Sequence, residues 1–448
     1  THWGIYSVPA CRPNGTWYPY NMYRPGSPQH AHHLRTYGDP ATFGYKDFIP
    51  FLTGEKFDPD EWADLFRKAG AGFAGPVAEH HDGFAMWDTA YTRWNAKNMG
   101  PKRDVVAELE KAIRGQGMKF MVALHHAENW FFYPHWHPEY DVADPAYADL
   151  YGKAHDLDGT INDASSFEVQ QKPDKAFLDS WLGKTVELVD RFSPDAIWFD
   201  FGLRHVQEHY KREMLAYYYG KAAESGQEVI TLFKNNDLVV GSGLIDLELG
   251  RFDRLMQNEW ITDTTVDDGE GWCYLHDAKY KSPRTLIHYL IDNVSKNGYL
   301  LLNVGPKPDG TIPEEARHIL AEMGTWLALN GEAIYGTTPW MHYGEGPTQM
   351  STSGDFTERE VMRYTPKDIR YTAKGETLYA ICLEWSGDEY VLEKTRELYA
   401  QEIARITMVG VEKELAWKMT DNGLVVQAPS DKPCEYAYVL RIERKRPF

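Results

Sequence analysis

The sequence predicts an α/β chain in two parts, a (β/α)8-like barrel over residues 1–338 and a C-terminal antiparallel β-sandwich over residues 339–448. Three observations predict it. Apolar runs of strand length alternate with helix-length segments through the first three quarters of the chain, the pattern of parallel strands joined by crossover helices. No Gly-x-Gly-x-x-Gly follows the first strand, so an open doubly wound sheet is the weaker alternative. Past Gly336-Thr337-Thr338-Pro339-Trp340 the helical pattern stops, and short alternating segments follow, separated by turns such as Asp421-Asn422-Gly423.

The elements follow in order. Asp58-Pro59-Asp60-Glu61 opens a helix, with Asp58 suited to the N-cap, Pro59 to the first helical position and Glu61 to the third. It runs through Trp62, Leu65 and Phe66 to a stop at Gly70. Residues 73–78 read as a strand, 104–117 as a helix, 119–124 as a strand and 174–192 as a helix. Ile197-Trp198-Phe199-Asp200 is an apolar run that ends in a carboxylate, after a Ser-Pro-Asp turn and before Gly202, so 196–199 reads as a buried parallel strand. A helical pattern follows from about 205 to 220. Strands at 228–233, 244–247 and 299–304 and helices at 283–296 and 313–330 continue the series. Beyond it, 370–373, 377–382, 404–409 and 436–441 read as sandwich strands.

Composition is globular, 43% hydrophobic and 25% charged, with no apolar stretch long enough to span a membrane. A formal net charge of −19 argues against duplex nucleic acid or an anionic membrane as the main partner. The 15 Trp and 28 Tyr supply large cores and also suit stacking against sugar rings. Cys11, Cys273, Cys382 and Cys434 are widely spaced, with no Cys-x-x-Cys, and read as isolated thiols. The chain opens on Thr1-His2-Trp3-Gly4 rather than on Met. A removed export signal makes a periplasmic or extracellular location the expectation.

Polar clusters gather at strand ends. His2-Trp3-Gly4 opens the chain, and Glu79-His80-His81-Asp82-Gly83-Phe84 follows the strand at 73–78. His125-His126-Ala127-Glu128 follows 119–124, and Asp200 follows 196–199. One such residue is ordinarily a hydrogen-bonded bystander, and Asp200 alone reads equally well as a helix cap. Several at the same edge of consecutive strands mark the place where barrel enzymes carry their chemistry. Zinc is the weaker use of that edge. Adjacent histidines within a strand point to opposite faces, and neither His-x-His nor His-Glu-x-x-His occurs at these strand ends. No metal ligand is assigned, and a zinc-dependent barrel hydrolase remains the alternative from another class. Glycoside hydrolysis fits better, with carboxylates flanking an anomeric carbon and neutral His and Trp binding hydroxyls and ring faces. His125, His126 and Glu128 read as pocket residues on this basis.

At this point a family resemblance emerges. His2-Trp3-Gly4-Ile5-Tyr6-Ser7-Val8-Pro9-Ala10, His80-His81-Asp82-Gly83-Phe84, Gly100-Pro101-Lys102-Arg103-Asp104 and Trp198-Phe199-Asp200 are four of its signatures. Ser295-Lys296-Asn297-Gly298-Tyr299-Leu300-Leu301-Leu302-Asn303-Val304-Gly305-Pro306 and the stretch from Trp326 to Tyr335 complete them. In order and spacing they resemble glycoside hydrolase family 29, the α-L-fucosidases. The resemblance implies a (β/α)8-like barrel with a C-terminal β-sandwich. It also implies retaining exo-hydrolysis of terminal α-L-fucose from an oligosaccharide or polysaccharide, with no cofactor. It maps the nucleophile onto Asp200, sugar-binding histidines onto His2, His80 and His81, and stacking or hydroxyl-binding tryptophans onto Trp17 and Trp198.

The departures bear on the sugar. Glu79 replaces the usual Lys, Phe201 the usual Gly, and Thr16 the Glu of Glu-Trp-Tyr, while Leu124-His125-His126 stands where Tyr-Tyr-Ser is common. L-Galactose is L-fucose with a hydroxyl on C6, so an exo-α-L-galactosidase acting on algal or sulfated glycans is the alternative within the same chemistry. A retaining enzyme needs a second carboxyl group about 5–5.5 Å from the nucleophile. Glu248 in Asp246-Leu247-Glu248-Leu249-Gly250-Arg251 is the first choice for the acid/base, since it follows a short apolar strand and resembles an Asp-x-Glu-Arg-Gly segment of the family. Glu259 and Glu270 are the backups, and Trp260 and Trp272 are candidate walls for the leaving group.

Overall fold

The computed structural model describes residues 1–155, 172–359 and 362–445. Eight strands form the first sheet: β1 (Phe73–Ala74), β2 (Val77–Glu79), β3 (Lys119–Leu124), β4 (Ala196–Phe199), β5 (Ile230–Lys234), β6 (Leu244–Glu248), β7 (Trp260–Thr265) and β8 (Gly298–Asn303). Their order is β1-β3-β4-β5-β6-β7-β8, with β2 also paired to β3. Every pairing is parallel, so all C-terminal strand ends lie at one edge. Thr1 and His2 bridge the two ends of this curled sheet. The Thr1 amino nitrogen donates to the Gly75 carbonyl at 2.8 Å, Val77 N–H donates to Thr1 O at 2.9 Å, and His2 N–H donates to Val304 O at 3.2 Å. That bridge carries His2 to the edge where the other strand ends meet.

The helices start where their caps dictate. Asp58 accepts the N–H groups of Asp60 and Glu61, Asp104 that of Ala107, Asp174 that of Phe177, and Ser282 that of Thr285. Each such bond satisfies an otherwise orphaned amide and contributes about 1 kcal/mol. Trp62, Ala63 and Phe66 turn one face of the helix Pro59–Lys68 into the barrel core. One barrel strand, like four of the C-terminal strands, lies outside the sequence-based expectation. β7 was not foreseen because Thr262, Asp263, Thr264 and Thr265 are polar, yet all six of its residues are buried.

The C-terminal part has two antiparallel sheets. One is ordered β13-β16-β11-β10-β9, from β13 (Ile403–Met408), β16 (Tyr438–Arg444), β11 (Thr377–Cys382), β10 (Ile369–Lys374) and β9 (Thr338–Glu345). The other is β12 (Glu389–Leu392), β15 (Gly423–Gln427) and β14 (Trp417–Thr420), paired in that order. Leu378, Ala380, Leu392, Ile406, Leu424, Val426, Leu440 and Ile442 fill the space between them. This is the predicted barrel followed by an antiparallel sandwich. All four cysteines are free thiols. No helix among the described residues is long and apolar enough to cross a membrane.

Candidate active site

Asp200 directly follows β4, and it caps no helix, since the next long one begins only at Glu208. Its Oδ2 instead lies 3.4 Å from His81 Nε2 and 3.5 Å from His125 Nδ1. His81 Nδ1 stands 2.7 Å from the His125 carbonyl oxygen, which can only accept, so Nδ1 carries a proton. Nε2 faces the carboxylate, which favours a second proton there. Burial disfavours that charge, but the bond and the charge of Asp200 outweigh it and raise the His81 pKa. Burial likewise opposes the Asp200 charge. The His125 ring, the His81 bond and the buried Lys234 ammonium more than offset it and hold Asp200 well below the usual carboxylate range. Burial keeps His125 itself neutral, so the standing cation opposite Asp200 is Lys234, with His81 biased toward its protonated form. Asp200 is ionised at neutral pH.

Neutral imidazoles line the rest of this side. His2 donates from its backbone N–H to Asn303 Oδ1 at 2.9 Å, and its Nδ1 lies 2.8 Å from the same oxygen. Burial, above all, lowers the His2 pKa to about 3. The His2 ring is 5.6 Å from His80 and 5.4 Å from His125. His80 Nδ1 and both nitrogens of His125 are buried without a hydrogen-bond partner. Such groups are costly to bury unless a ligand meets them, and sugar hydroxyls can do so. Trp198 sets its edge against His125 at 4.9 Å, and Trp17 stands edge-on to His81 at 5.6 Å.

Strands β5 to β7 build the opposite side from acids around one cation. Lys234 Nζ is 2.6 Å from Asp263, 2.9 Å from Asp246 and 3.7 Å from Glu248, and its side chain is fully buried. One ammonium cannot balance three carboxylates in such a place. Burial raises the pKa of Asp246 and of Asp263. Glu248 rises to about 7, from burial first, with Lys234 opposing and the charges of Asp200, Asp246 and Asp355 adding to it. Trp198 Nε1 donates to Asp246 at 2.7 Å, which fixes the indole between the two sides. The Phe201 ring lies 5.6 Å from Lys234 Nζ, so this departure from the family pattern covers the ammonium.

His2, Trp17, His80, His81, His125, Trp198, Asp200 and Glu248 therefore come to one edge. His126 does not join them. It stacks on Trp181 with ring centroids 6.3 Å apart and lines a cavity of about 210 Å³ with Glu79 and Lys184. Glu79, which replaces the usual Lys, pairs there with Lys184 at 2.6 Å. Trp260 and Glu259 lie at the other end of the barrel, because β7 starts at Trp260 rather than ending before it. Trp260 Nε1 donates to Lys296 O at 3.1 Å, and Glu259 accepts from Tyr299 Oη at 2.8 Å. Those two residues are corrected to the far edge. Glu270 lies on the rim loop after β7, where its carbonyl accepts from Gly15 N–H at 3.1 Å. On the same loop the Trp272 ring comes within 5.3 Å of His2. Glu128 is buried, with its pKa raised to about 7, first by burial. Sequence reasoning missed Lys234, Asp246, Asp263 and Asn303.

Two kinds of chemistry suit this edge. One ionised and one protonated carboxyl group flanked by neutral hydrogen-bonding rings suit displacement at an anomeric carbon. The nitrogens of His2, His80 and His125 also lie within 4.8 Å of one another, as do ligand atoms of His81, His125 and Asp200, which is the spacing a divalent metal would draw on.

Residues 1–332 match the family model described as Alpha-L-fucosidase, and residues 363–443 match the Alpha-L-fucosidase C-terminal domain. Tissue alpha-L-fucosidase of Rattus norvegicus is 30% identical over 458 residues, spanning 99% of this chain and 87% of that one. The tissue enzyme of Bos taurus is 29% identical over 457 residues, 98% of this chain and 85% of that one. A crystal structure of Thermotoga maritima alpha-fucosidase in complex with fucose shares the fold with a TM-score of 0.76, at 30% identity, over 98% of this chain and 93% of that one.

Proposed function

This chain belongs to the alpha-L-fucosidase family of glycoside hydrolases, and we propose that it releases terminal α-L-fucose from glycans with retention of configuration. The observation that carries the reading is the split in protonation across one strand edge. Asp200 at the tip of β4 is held ionised, while Glu248 at the tip of β6 is raised to about 7. In the first step Asp200 attacks the anomeric carbon as Glu248 gives its proton to the departing glycosidic oxygen. The product is a glycosyl ester on Asp200, and the Glu248 carboxylate then takes a proton from the attacking water. Two inversions give net retention. His2, His80 and His125 meet the hydroxyls, and Trp198 supplies an apolar wall.

The test is Asp200→Gly with sodium azide and an aryl α-L-fucoside. The expected product is the fucosyl azide of inverted configuration, and a variant with wild-type turnover would refute the role. A second sugar is favoured by one observation. His125, where the family commonly has Tyr-Tyr-Ser, turns Nδ1 toward Asp200 and leaves Nε2 buried without a hydrogen-bond partner, so Nε2 offers a bond to an additional hydroxyl. A site that bonds the C6 hydroxyl of L-galactose would reject fucose strongly. Turnover of the aryl α-L-galactoside with none of the fucoside would move the assignment to that sugar. Activity lost to a chelator and restored by zinc would instead favour the metal reading.

A further inference from the structure

The segment between β9 and β10 belongs by sequence to the C-terminal part, yet it returns to the barrel at Glu248. Phe356 N–H donates to Glu248 O at 2.7 Å and Glu358 N–H to Leu249 O at 2.8 Å. Arg251 and Gly354 exchange a pair of backbone bonds at 3.2 and 2.8 Å, and Arg251 N–H also donates to Thr357 Oγ1 at 3.0 Å. Asp355 Oδ1 accepts the backbone N–H of Glu248 at 2.8 Å. Glu358 anchors the far end, on Lys281 at 2.7 Å and Thr264 Oγ1 at 2.6 Å.

The contact is built for close approach. A Cβ on Gly250 would fall 2.4 Å from Gly354 O and 3.0 Å from Asp355 Cα, so only glycine admits the segment. Leu249 on one side of the contact and Phe356 on the other have φ of 44° and 57°, a region that non-glycine residues rarely adopt. Such strain persists only where surrounding bonds over-determine it, and it gathers at functional sites. A loop that merely joined two sandwich strands would have no need of it.

We propose that the Gly354–Glu358 segment is part of the active site and that Asp355 is a positioning residue for the general acid Glu248. Through the backbone bond it fixes where the Glu248 side chain starts from. Through its charge it opposes ionisation of Glu248 and so keeps the proton on the acid. The other charged groups facing Glu248 are Lys234 on β5, Asp246 on its own strand, Asp263 on β7 and Asp200 at the tip of β4. Of the carboxylates, Asp355 alone comes from outside the barrel. The inference rests on the reading of Glu248 as the acid.

The experiment compares phenyl α-L-fucoside, whose leaving group needs a proton, with α-L-fucosyl fluoride, whose leaving group needs little help. In Asp355→Asn the basic limb of kcat/KM for the phenyl fucoside is expected to move down by roughly half to one pH unit. Turnover of the fluoride at low pH should change less than about threefold. Asp355→Glu, which keeps the charge, should leave the limb in place. An unmoved limb in Asp355→Asn, or equal losses on both substrates, would overturn the proposal. Glu248→Gln separates it from its premise. That variant should lose the phenyl fucoside and keep the fluoride. If it loses both equally, the acid assignment falls and the proposal with it, whereas a normal Glu248→Gln beside an unmoved Asp355→Asn overturns only the positioning role.

Discussion

The two sides of the barrel mouth solve opposite electrostatic problems with the same fold. On the β2–β4 side a carboxylate is surrounded by imidazoles, and the contact with His81 keeps Asp200 charged despite burial. On the β5–β7 side a cation is surrounded by carboxyl groups, and Lys234 is too few for Asp246, Asp263 and Glu248. The first arrangement exports a proton from its acid and the second retains one. Burial alone would protonate every carboxylate here, so what differs between the sides is the count of partners. A retaining glycosidase needs this asymmetry, since a nucleophile and an acid of identical chemical type must hold different protonation states at one pH.

The comparison is broken most severely at its nucleophile. Asp200→Asn keeps the shape and the His81 contact while removing the charge. It is expected to cut turnover of an aryl fucoside by about 10⁴-fold or more, on the order of 5 kcal/mol, with a melting temperature near wild type. A loss below about tenfold would mean that the charged side does something other than attack. The cage breaks differently. Lys234→Met strands three buried acids without a cation, and urea unfolding should show a loss of about 3–5 kcal/mol. Those acids would then have folded pKa values raised above their unfolded ones. The folded state binds the extra protons, so the deficit should grow as pH rises from 5 to 8. A pH-independent deficit would show that Lys234 matters for packing rather than charge.

How much of this was legible in the sequence follows from the same asymmetry. The nucleophile side was readable because Ile197-Trp198-Phe199 is an apolar run whose end is unmistakable, and histidine pairs at strand ends stand out against it. The acid side was not. β7 carries Asp263 and three threonines into the barrel interior, so it lacks the apolar signal of a strand, and Trp260 and Glu259 were placed at the wrong end with it. Lys234 at the end of an apolar run looks like a solvated terminus until its three acids are brought to it. The histidine pairs also divide by backbone position. His80 and His81 follow the end of β2, and both ring systems reach the pocket, with centroids 4.3 Å apart. His125 and His126 follow β3 where the backbone leaves the strand, His125 at φ −103° and ψ 0° and His126 opening a 3-10 helix, and this turn sends one in and the other to Trp181.

The acid side also sets the pH profile. Glu248 must carry its proton to assist the leaving group, and it is held at about 7. As pH rises through that value the acid ionises, and kcat/KM for a phenyl fucoside should fall about tenfold for each further unit. Asp200 lies well below the usual carboxylate range, so the acid limb should be displaced far to low pH and the profile should be lopsided. Glu248→Gln should erase the basic limb, and a limb that persists at the same pH would assign it to another group.

The smallest expected effect lies on the imidazole side, in the residue that orients rather than reacts. Asn303 at the end of β8 holds His2 through two bonds to a single oxygen, and its own amide donates to Thr265 Oγ1 at 3.1 Å. The bond to Nδ1 fixes the His2 tautomer, which leaves Nε2 as an acceptor for a substrate hydroxyl. Asn303→Ala frees the ring to rotate and to exchange tautomers. The expected cost is about 1 kcal/mol, read as a roughly fivefold rise in KM with kcat nearly unchanged. Asn303→Asp would instead place a carboxylate beside the ring and raise its proton affinity, turning that acceptor into a donor. If Asn303→Ala lowers kcat as strongly as it raises KM, then His2 senses charge at the reacting carbon, and the imidazole side contributes to the chemistry as well as to recognition.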